Sequence, residues 1–169
     1  MFVVQLAALL HDVDDWKFSR GKNKNGKGEV RKWLEKAGVN EETANHVCDI
    51  IDNMSFKGLD VKLKIKSKEG RVVQDADRLD AIGAVGVARV FAYHSKSQKL
   101  IYDPEINLNS RVTDMRKQDS YSSVHHFYDK LFHVKKLMNT KTGRRIAESR
   151  HEFTKKYLKQ FFDEWYGKK

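Results

Sequence analysis

The residues best suited to chemistry in this sequence are the acids of residues 73–83, which read Val-Gln-Asp-Ala-Asp-Arg-Leu-Asp-Ala-Ile-Gly. Residues 71–93 are otherwise rich in Ala, Val, Gly and Ile, a pattern that predicts one helix packed on several sides. An ionised carboxylate in such a helix costs several kcal/mol unless a cation, a metal or a set of donors faces it. Asp77 and Asp80 share roughly one helical face, whereas Asp75 points elsewhere. We therefore expect one of these acids to face a cation.

A second candidate is the His11-Asp12 pair, which follows a run of apolar residues. Residues 2–13 are apolar nearly all round when drawn as a helix, which predicts a central helix. Neighbours on a helix point about 100° apart, so these two side chains can meet at one metal only near a bend or a pocket edge. Taken alone, the pair also fits a hydrogen-bonded contact at a helix end.

Three motifs together resemble the HD superfamily of metal-dependent phosphohydrolases. They are His-Asp-x-x-Asp-Trp-Lys-Phe at 11–18, Ser-Phe-Lys-Gly at 55–58 and Gln-Asp-Ala-Asp-Arg-Leu-Asp at 74–80. The closer likeness is to small bacterial HD hydrolases, and it runs through almost the whole chain. The resemblance implies an all-α HD-domain helical bundle forming a single domain over residues 1–169.

The resemblance also implies a divalent metal held by His11, Asp12 and Asp77. One imidazole nitrogen and two carboxylates suit Mn²⁺ or Mg²⁺, with Fe²⁺ as a third candidate. Such an ion lowers the pKa of a water molecule and neutralises charge on a phosphoryl oxygen, as a phosphohydrolase requires.

One departure from the family pattern concerns its first metal-binding histidine, which belongs to an earlier helix. Only ten residues precede His11, and none of the other six histidines occupies the matching position. We therefore expect an amino-terminally short bundle that lacks its first helix, with a metal site one ligand short. The apolar helix 2–13 would then expose a patch, covered by self-association into a homo-oligomer or by an upstream segment.

Three further residues are candidates for the same site. Asp15 lies four residues after His11 on the same helical face, and related HD hydrolases carry an acid at this offset, so we expect it to orient water or transfer a proton. Lys17 is a weaker candidate for a phosphate contact. Lys57 resembles the family's Ser-Phe-Lys-Gly lysine and would face a substrate phosphate, with a plain surface lysine as the equal alternative.

The elements that position these residues are predicted to be mainly helical, since a single Pro in 169 residues permits long helices. Apolar periodicity predicts helices near residues 30–37, 40–54, 124–137 and 146–165. Alternation over 61–66 indicates a solvent-facing strand or an irregular loop, and 94–120 reads as a polar connector. His125 and His126 are interpreted as core or supporting histidines rather than ligands, and Arg78 and Asp80 as local ion pairs supporting Asp77.

The composition limits the class of partner. The formal net charge of +10, from 33 basic and 23 acidic residues, favours an anionic partner, although a solvated face is the common alternative. No stretch reaches the roughly twenty apolar residues that span a bilayer, so no membrane association is expected. A single Cys48 agrees with a reducing compartment, and cytoplasm is the expected location.

Two functions compete on this evidence. The first is a metal-dependent phosphohydrolase acting on nucleotides or related phosphate esters, with an activity that the missing ligand would impair. The alternative is a non-catalytic basic protein on a degenerate HD scaffold that binds phosphate or nucleic acid. The joint motifs support the enzyme, and nucleic acid is the less favoured partner.

Overall fold

All regular secondary structure in residues 1–13, 28–54, 65–108 and 122–168, which the computed structural model describes, is helical. In chain order the elements are α1 (Phe2–Leu10), α2 (Glu29–Lys36), α3 (Glu41–Met54), α4 (Lys68–Asp80), α5 (Gly83–Lys96), α6 (Ser123–Asp129), a 3₁₀ helix (Leu131–Leu137) and α7 (Lys141–Trp165). The predicted all-α class is therefore confirmed. Residues 61–64 of the strand-like stretch lie outside the described residues, and Ile65 and Lys66 are irregular. None of the described helices has the length and apolar character that a bilayer crossing requires.

The chain divides into two units, Met1–Gln74 and Asp75–Lys169, with the boundary inside α4. In the first unit α1 and α2 both pack on α3. The side chain of Asn40 accepts a hydrogen bond from the Thr43 amide at 2.9 Å, which caps the start of α3. The buried core comprises Ala7, Val30, Leu34, Ala44, Val47, Ile50, Ile51, Met54 and Val73. The helix predicted near residues 40–54 is thus confirmed, and its buried face lies in this core.

Helix α1 is less buried than its composition suggests. Ala7 is its one buried residue, whereas Phe2 is 57% and Leu9 78% exposed. The helix ends at Leu10 instead of running to Val13, and Val13 is also exposed. The expectation that α1 is a central helix is therefore wrong, while the expectation that it exposes an apolar patch agrees with these exposures.

The second unit is built around α7, which packs against α5 and against the 3₁₀ helix. Its core contains Val87, Val90, Val124, Phe127, Leu131, Val134, Met138, Ala147 and Leu158. At the end of α7, Tyr102 is enclosed by Phe161, Phe162, Trp165 and Tyr166. The hydroxyl oxygens of Tyr102 and Tyr166 lie 2.8 Å apart. These contacts join the chain after α5 to the last turn of α7.

The single helix predicted over 71–93 is wrong, because the chain breaks between α4 and α5. Ile82 is extended, and Gly83 adopts φ +79°, a left-handed conformation that residues with a Cβ rarely take. A Cβ atom on Gly86 would overlap the carbonyl of Ala81. Gly86 therefore makes room for the backbone at Ala81, in the turn between α4 and α5.

The long helix predicted over 124–137 also divides. Helix α6 ends at Asp129, and Lys130 takes φ −125° and ψ −56°, outside the helical region, before the 3₁₀ helix begins. Neither Gly nor Pro marks this break in the sequence. In contrast, the helix predicted over 146–165 is confirmed as part of α7.

Candidate metal and phosphate site

His11 and Asp12 meet at the end of α1. The helix stops at Leu10, and the Val13 amide donates to the Leu10 carbonyl at 3.1 Å to form a turn. In this turn Nε2 of His11 lies 3.3 Å from Oδ2 of Asp12. The two side chains therefore meet at a turn, which is one of the two conditions that the sequence set for their contact.

The imidazole of His11 is oriented by the backbone of α1. Its Nδ1 lies 2.8 Å from the Ala8 carbonyl oxygen, and a carbonyl only accepts, so Nδ1 carries the proton. Nε2 is therefore the ring nitrogen that faces the carboxylate. Metal-binding histidines usually hold their other ring nitrogen against a carbonyl or carboxylate in this way.

The donor atoms of the pair are spaced suitably for one ion. In an octahedral site with ligands about 2.1 Å from the metal, adjacent ligand atoms lie about 3 Å apart. The distance of 3.3 Å between the His11 nitrogen and the Asp12 oxygen is close to that separation. One nitrogen and one carboxylate oxygen are also donors that Mn²⁺ and Fe²⁺ accept. These two residues therefore fit a divalent metal, and the same contact fits a simple histidine–carboxylate pair.

The buried acid of α4 is Asp75. Its side chain is 3% exposed, and each carboxylate oxygen accepts two hydrogen bonds. Oδ1 accepts from the backbone and side-chain amides of Asn139 at 2.8 and 2.9 Å. Oδ2 accepts from the backbone amide and hydroxyl of Thr140, both at 2.8 Å. The buried acid is therefore faced by four N–H and O–H donors, and the acid of this stretch that faces a cation is Asp80, which pairs with Arg89.

Asp77 and Asp80 are both exposed. Asp80 forms an ion pair with Arg89 of α5, and Arg78 donates to the carbonyl of Leu137. Burial lowers the pKa of Arg78, and the nearby charges of Asp75 and Asp77 act in the opposite direction. The predicted ion pair of Asp80 is thus formed with Arg89 of α5, and Arg78 binds a backbone carbonyl while its charge interacts with that of Asp77.

The candidate ligands are distributed over both units, since His11 and Asp12 belong to the first and Asp77 to the second. Asp15, Lys17 and Lys57 lie outside the described residues. Over the described ranges, no group of three or more His, Cys, Asp or Glu side chains is arranged to hold a metal ion. The joint site of His11, Asp12 and Asp77 therefore stays a prediction.

A cluster of histidines lies between α5 and α6. Nδ1 of the buried His94 is 3.1 Å from the Ser123 hydroxyl, and the ring of His94 meets that of His126 edge-on at 5.2 Å. Burial is the main cause that lowers the pKa of His126 to about 3, with smaller effects from Lys130, His94, Lys99 and His125. His125 is fully buried, which agrees with its interpretation as a core residue.

Two of these features were not predicted from the sequence, namely the contact of His94 and the donors of Asp75. His94 was assigned no role, because a single histidine in a helix has no signal for a partner 29 residues away. Asn139 and Thr140 were also missed, although Thr140 before a helical pattern is a typical cap. Its hydroxyl accepts from the Gly143 amide at 2.9 Å at the start of α7.

Comparisons with known proteins agree with this fold. The HD domain family matches residues 1–82. YpgQ of Bacillus subtilis is 39% identical over 161 residues, which cover 95% of this chain and 71% of YpgQ.

Solved structures are similar over nearly the whole chain. An HD-superfamily hydrolase from Bacillus thuringiensis is 41% identical, with a TM-score of 0.71 and coverage of 97% of this chain and 73% of that protein. Bacillus subtilis YpgQ in complex with ADP is 37% identical, with a TM-score of 0.74 and coverage of 96% and 76%. A protein from Lactobacillus plantarum is 36% identical, with a TM-score of 0.79 and coverage of 98% and 76%. On these matches, the chain belongs to the HD superfamily of hydrolases.

Proposed function

We propose that this protein is a metal-dependent phosphohydrolase that acts on nucleotides or related phosphate esters. The observation that carries the proposal is the contact between His11 and Asp12. Nδ1 of His11 is held by the Ala8 carbonyl, and Nε2 lies 3.3 Å from the Asp12 carboxylate. That arrangement provides one nitrogen and one oxygen at a spacing that a divalent ion accepts.

In this proposal His11, Asp12 and Asp77 hold the ion, with Mn²⁺ or Mg²⁺ preferred and Fe²⁺ as the third candidate. When bound, the ion supplies Lewis acidity for attack on a phosphoryl group. Asp77 is exposed, so its carboxylate is accessible from solvent. The assignment of these three residues to one site rests on the family resemblance.

The remaining roles belong to side chains of the chain itself. Asp15 orients the attacking water or transfers a proton, since a carboxylate is a common general base or acid. Lys17 and Lys57 contact phosphate oxygens, because an ammonium group binds phosphate as a point charge. These three roles rest on motif positions alone.

The choice of a nucleotide substrate has two supports. A relative, YpgQ, has been crystallised with ADP. The net charge of +10 also favours a substrate with several negative charges.

We propose a cytoplasmic location, because the single Cys48 agrees with a reducing compartment. We also propose self-association through the exposed apolar side chains of α1.

The test is phosphate release from a panel of ribo- and deoxyribonucleotides with Mn²⁺, Mg²⁺ or Fe²⁺ added. Each reaction is read with malachite green, with and without added inorganic pyrophosphatase, because the dye detects orthophosphate but not pyrophosphate. Asp77→Ala is the inactive variant, and Asp80→Ala on the same helix is its matched control. Nucleotide binding without phosphate release in every condition would favour the non-catalytic alternative.

A further inference from the structure

The carboxyl-terminal half of α4 is held by side-chain contacts to the segment that precedes α7. Asp75 accepts four hydrogen bonds from Asn139 and Thr140, all between 2.8 and 2.9 Å. Three residues further along α4, Arg78 donates to the Leu137 carbonyl. We name Asp75, Asn139, Thr140 and Gly143 the α4 latch. The latch and Arg78 fix two neighbouring positions on one side of the helix.

The latch admits only one position of the Asp75 carboxylate. The Thr140 hydroxyl donates to Oδ2 of Asp75 while it accepts from the Gly143 amide at 2.9 Å. A Cβ atom on Gly143 would overlap the same carboxylate oxygen. The four donors and the space left by Gly143 therefore hold the Asp75 side chain in one conformation.

A fixed Asp75 determines the rotation of α4 about its axis. Residues in an α-helix are separated by about 100°, so Asp77 lies about 200° from Asp75 and about 100° from Arg78. Asp75 is buried, while Asp77 is exposed. Rotation of the helix by one residue would move Asp77 and would break the hydrogen bonds of both Asp75 and Arg78.

We infer that Asp75 is a positioning residue for Asp77, and that the α4 latch sets the direction in which the Asp77 carboxylate points. The inference rests on the proposed function, in which Asp77 is a metal ligand. It predicts that the latch contributes to metal affinity without contacting the metal. Residues that orient metal ligands typically change affinity by about 10- to 100-fold when they are replaced.

The experiment measures Mn²⁺ affinity through the electron paramagnetic resonance signal of free Mn²⁺. Asp75→Ala should weaken binding by about 10- to 100-fold. Thr140→Val, which loses the hydroxyl, should weaken it less, and Thr140→Ser, which keeps the hydroxyl, should bind as the wild type does. Val134→Ala is the stability control, because Val134 is buried in the core of the same unit. Amide hydrogen exchange at Asn139 and Thr140 reports directly whether the latch is open.

The possible results distinguish failure of the proposed metal-dependent function from failure of the positioning role of Asp75. A wild-type chain that binds no Mn²⁺ overturns the proposed function, and the positioning role with it. Wild-type affinity in a folded Asp75→Ala chain whose Asn139 and Thr140 amides exchange rapidly overturns the positioning role alone. Equal losses in Val134→Ala and Asp75→Ala at matched stability also overturn it, since the effect would then be general. If Asp75→Ala does not fold, the comparison of Thr140→Val with Thr140→Ser tests the positioning role instead. Equal Mn²⁺ affinity in these two variants would then overturn it.

Discussion

A Cβ atom on Gly143 would overlap Oδ2 of Asp75, so the first turn of α7 has room for that carboxylate only because residue 143 is glycine. Gly143→Ala should therefore destabilise the protein by about 1–3 kcal/mol, the usual cost of overpacking. The loss is expected although Ala is about 1 kcal/mol better than Gly within a helix. Urea denaturation measures the free energy of unfolding.

The same substitution should have the opposite sign in an Asp75→Ala background. Without the carboxylate the overlap is gone, and the helix propensity of Ala can contribute up to about 1 kcal/mol of stability. The Thr140 hydroxyl, 3.0 Å from the same Cβ position, reduces that gain. Destabilisation of equal size in both backgrounds would disprove the steric relationship between Gly143 and Asp75.

Asp77→Ala should abolish metal binding and phosphohydrolase activity while the chain stays folded. Asp77 is exposed, so its removal leaves no cavity. Calorimetry with Mn²⁺ measures metal binding, and circular dichroism measures whether the chain stays folded. Asp80→Ala should keep both properties, because Asp80 pairs with Arg89 on the surface. Unchanged metal affinity in Asp77→Ala would remove Asp77 from the ligand set.

Asp15→Asn should keep metal affinity and lower turnover by about a hundredfold or more, the scale of general acid–base catalysis. Asn keeps the size of Asp but neither takes up nor releases a proton at neutral pH. Parallel measurement of kcat and Mn²⁺ affinity distinguishes the roles. Joint loss of metal and activity would instead make Asp15 a ligand.

The stability of the protein should fall as the pH drops below neutral, in part through His126. Its folded-state pKa of about 3 lies below the ordinary histidine pKa of 6.5, so the unfolded chain binds the proton more readily. The contribution is therefore fully present above pH 6.5 and is lost as the pH falls towards 3. Each proton of difference changes the free energy of unfolding by about 1.4 kcal/mol per pH unit.

The check is urea denaturation between pH 4 and pH 8. His126→Gln should flatten the pH dependence of the free energy of unfolding. The burial of His94, His125 and His151 lowers the pKa of each, so part of the slope should remain in His126→Gln. An unaltered slope in His126→Gln would exclude its contribution.

Self-association through α1 should depend on Leu9, which is 78% exposed. Leu9→Lys places a charge in the apolar patch and should shift sedimentation equilibrium towards the monomer. Glu35→Lys on α2 adds positive charge at another exposed position and is the control. A wild-type chain that is monomeric at high micromolar concentration would contradict self-association.

The sequence predicted what depends on neighbouring residues. The periodicity of α3 and α7 was long enough to identify both helices. Helix geometry gave only the condition under which His11 and Asp12 could meet, namely a bend or a pocket edge. The break at Gly83 was missed because glycine permits close packing as well as a left-handed turn, and only the backbone conformation distinguishes them. The local sequence pattern therefore predicted where helices occur better than where they begin and end.

The donors that face the buried acid could not be named from the sequence for a different reason. The burial of an acid in α4 was expected, but the donors that satisfy Asp75 come from Asn139 and Thr140, 64 and 65 residues away. No spacing rule connects residues so far apart. The composition of α4 therefore predicted that a carboxylate needed partners, and only the fold identified them.

The hydroxyl pair of Tyr102 and Tyr166 gives the carboxyl-terminal turn of α7 an optical signal. The hydrogen bond to Tyr166, together with burial, raises the pKa of Tyr102 to about 12. Phenolate absorbs near 295 nm and phenol does not, so an alkaline titration of the six tyrosines should include a late ionisation from Tyr102. Burial also raises the pKa of Tyr128 and Tyr157, so Tyr102→Phe identifies the part of the titration that belongs to this residue. Detachment of the last turn would bring that ionisation back towards pH 10. The attachment of the end of α7 can thus be followed by absorbance in the unlabelled protein.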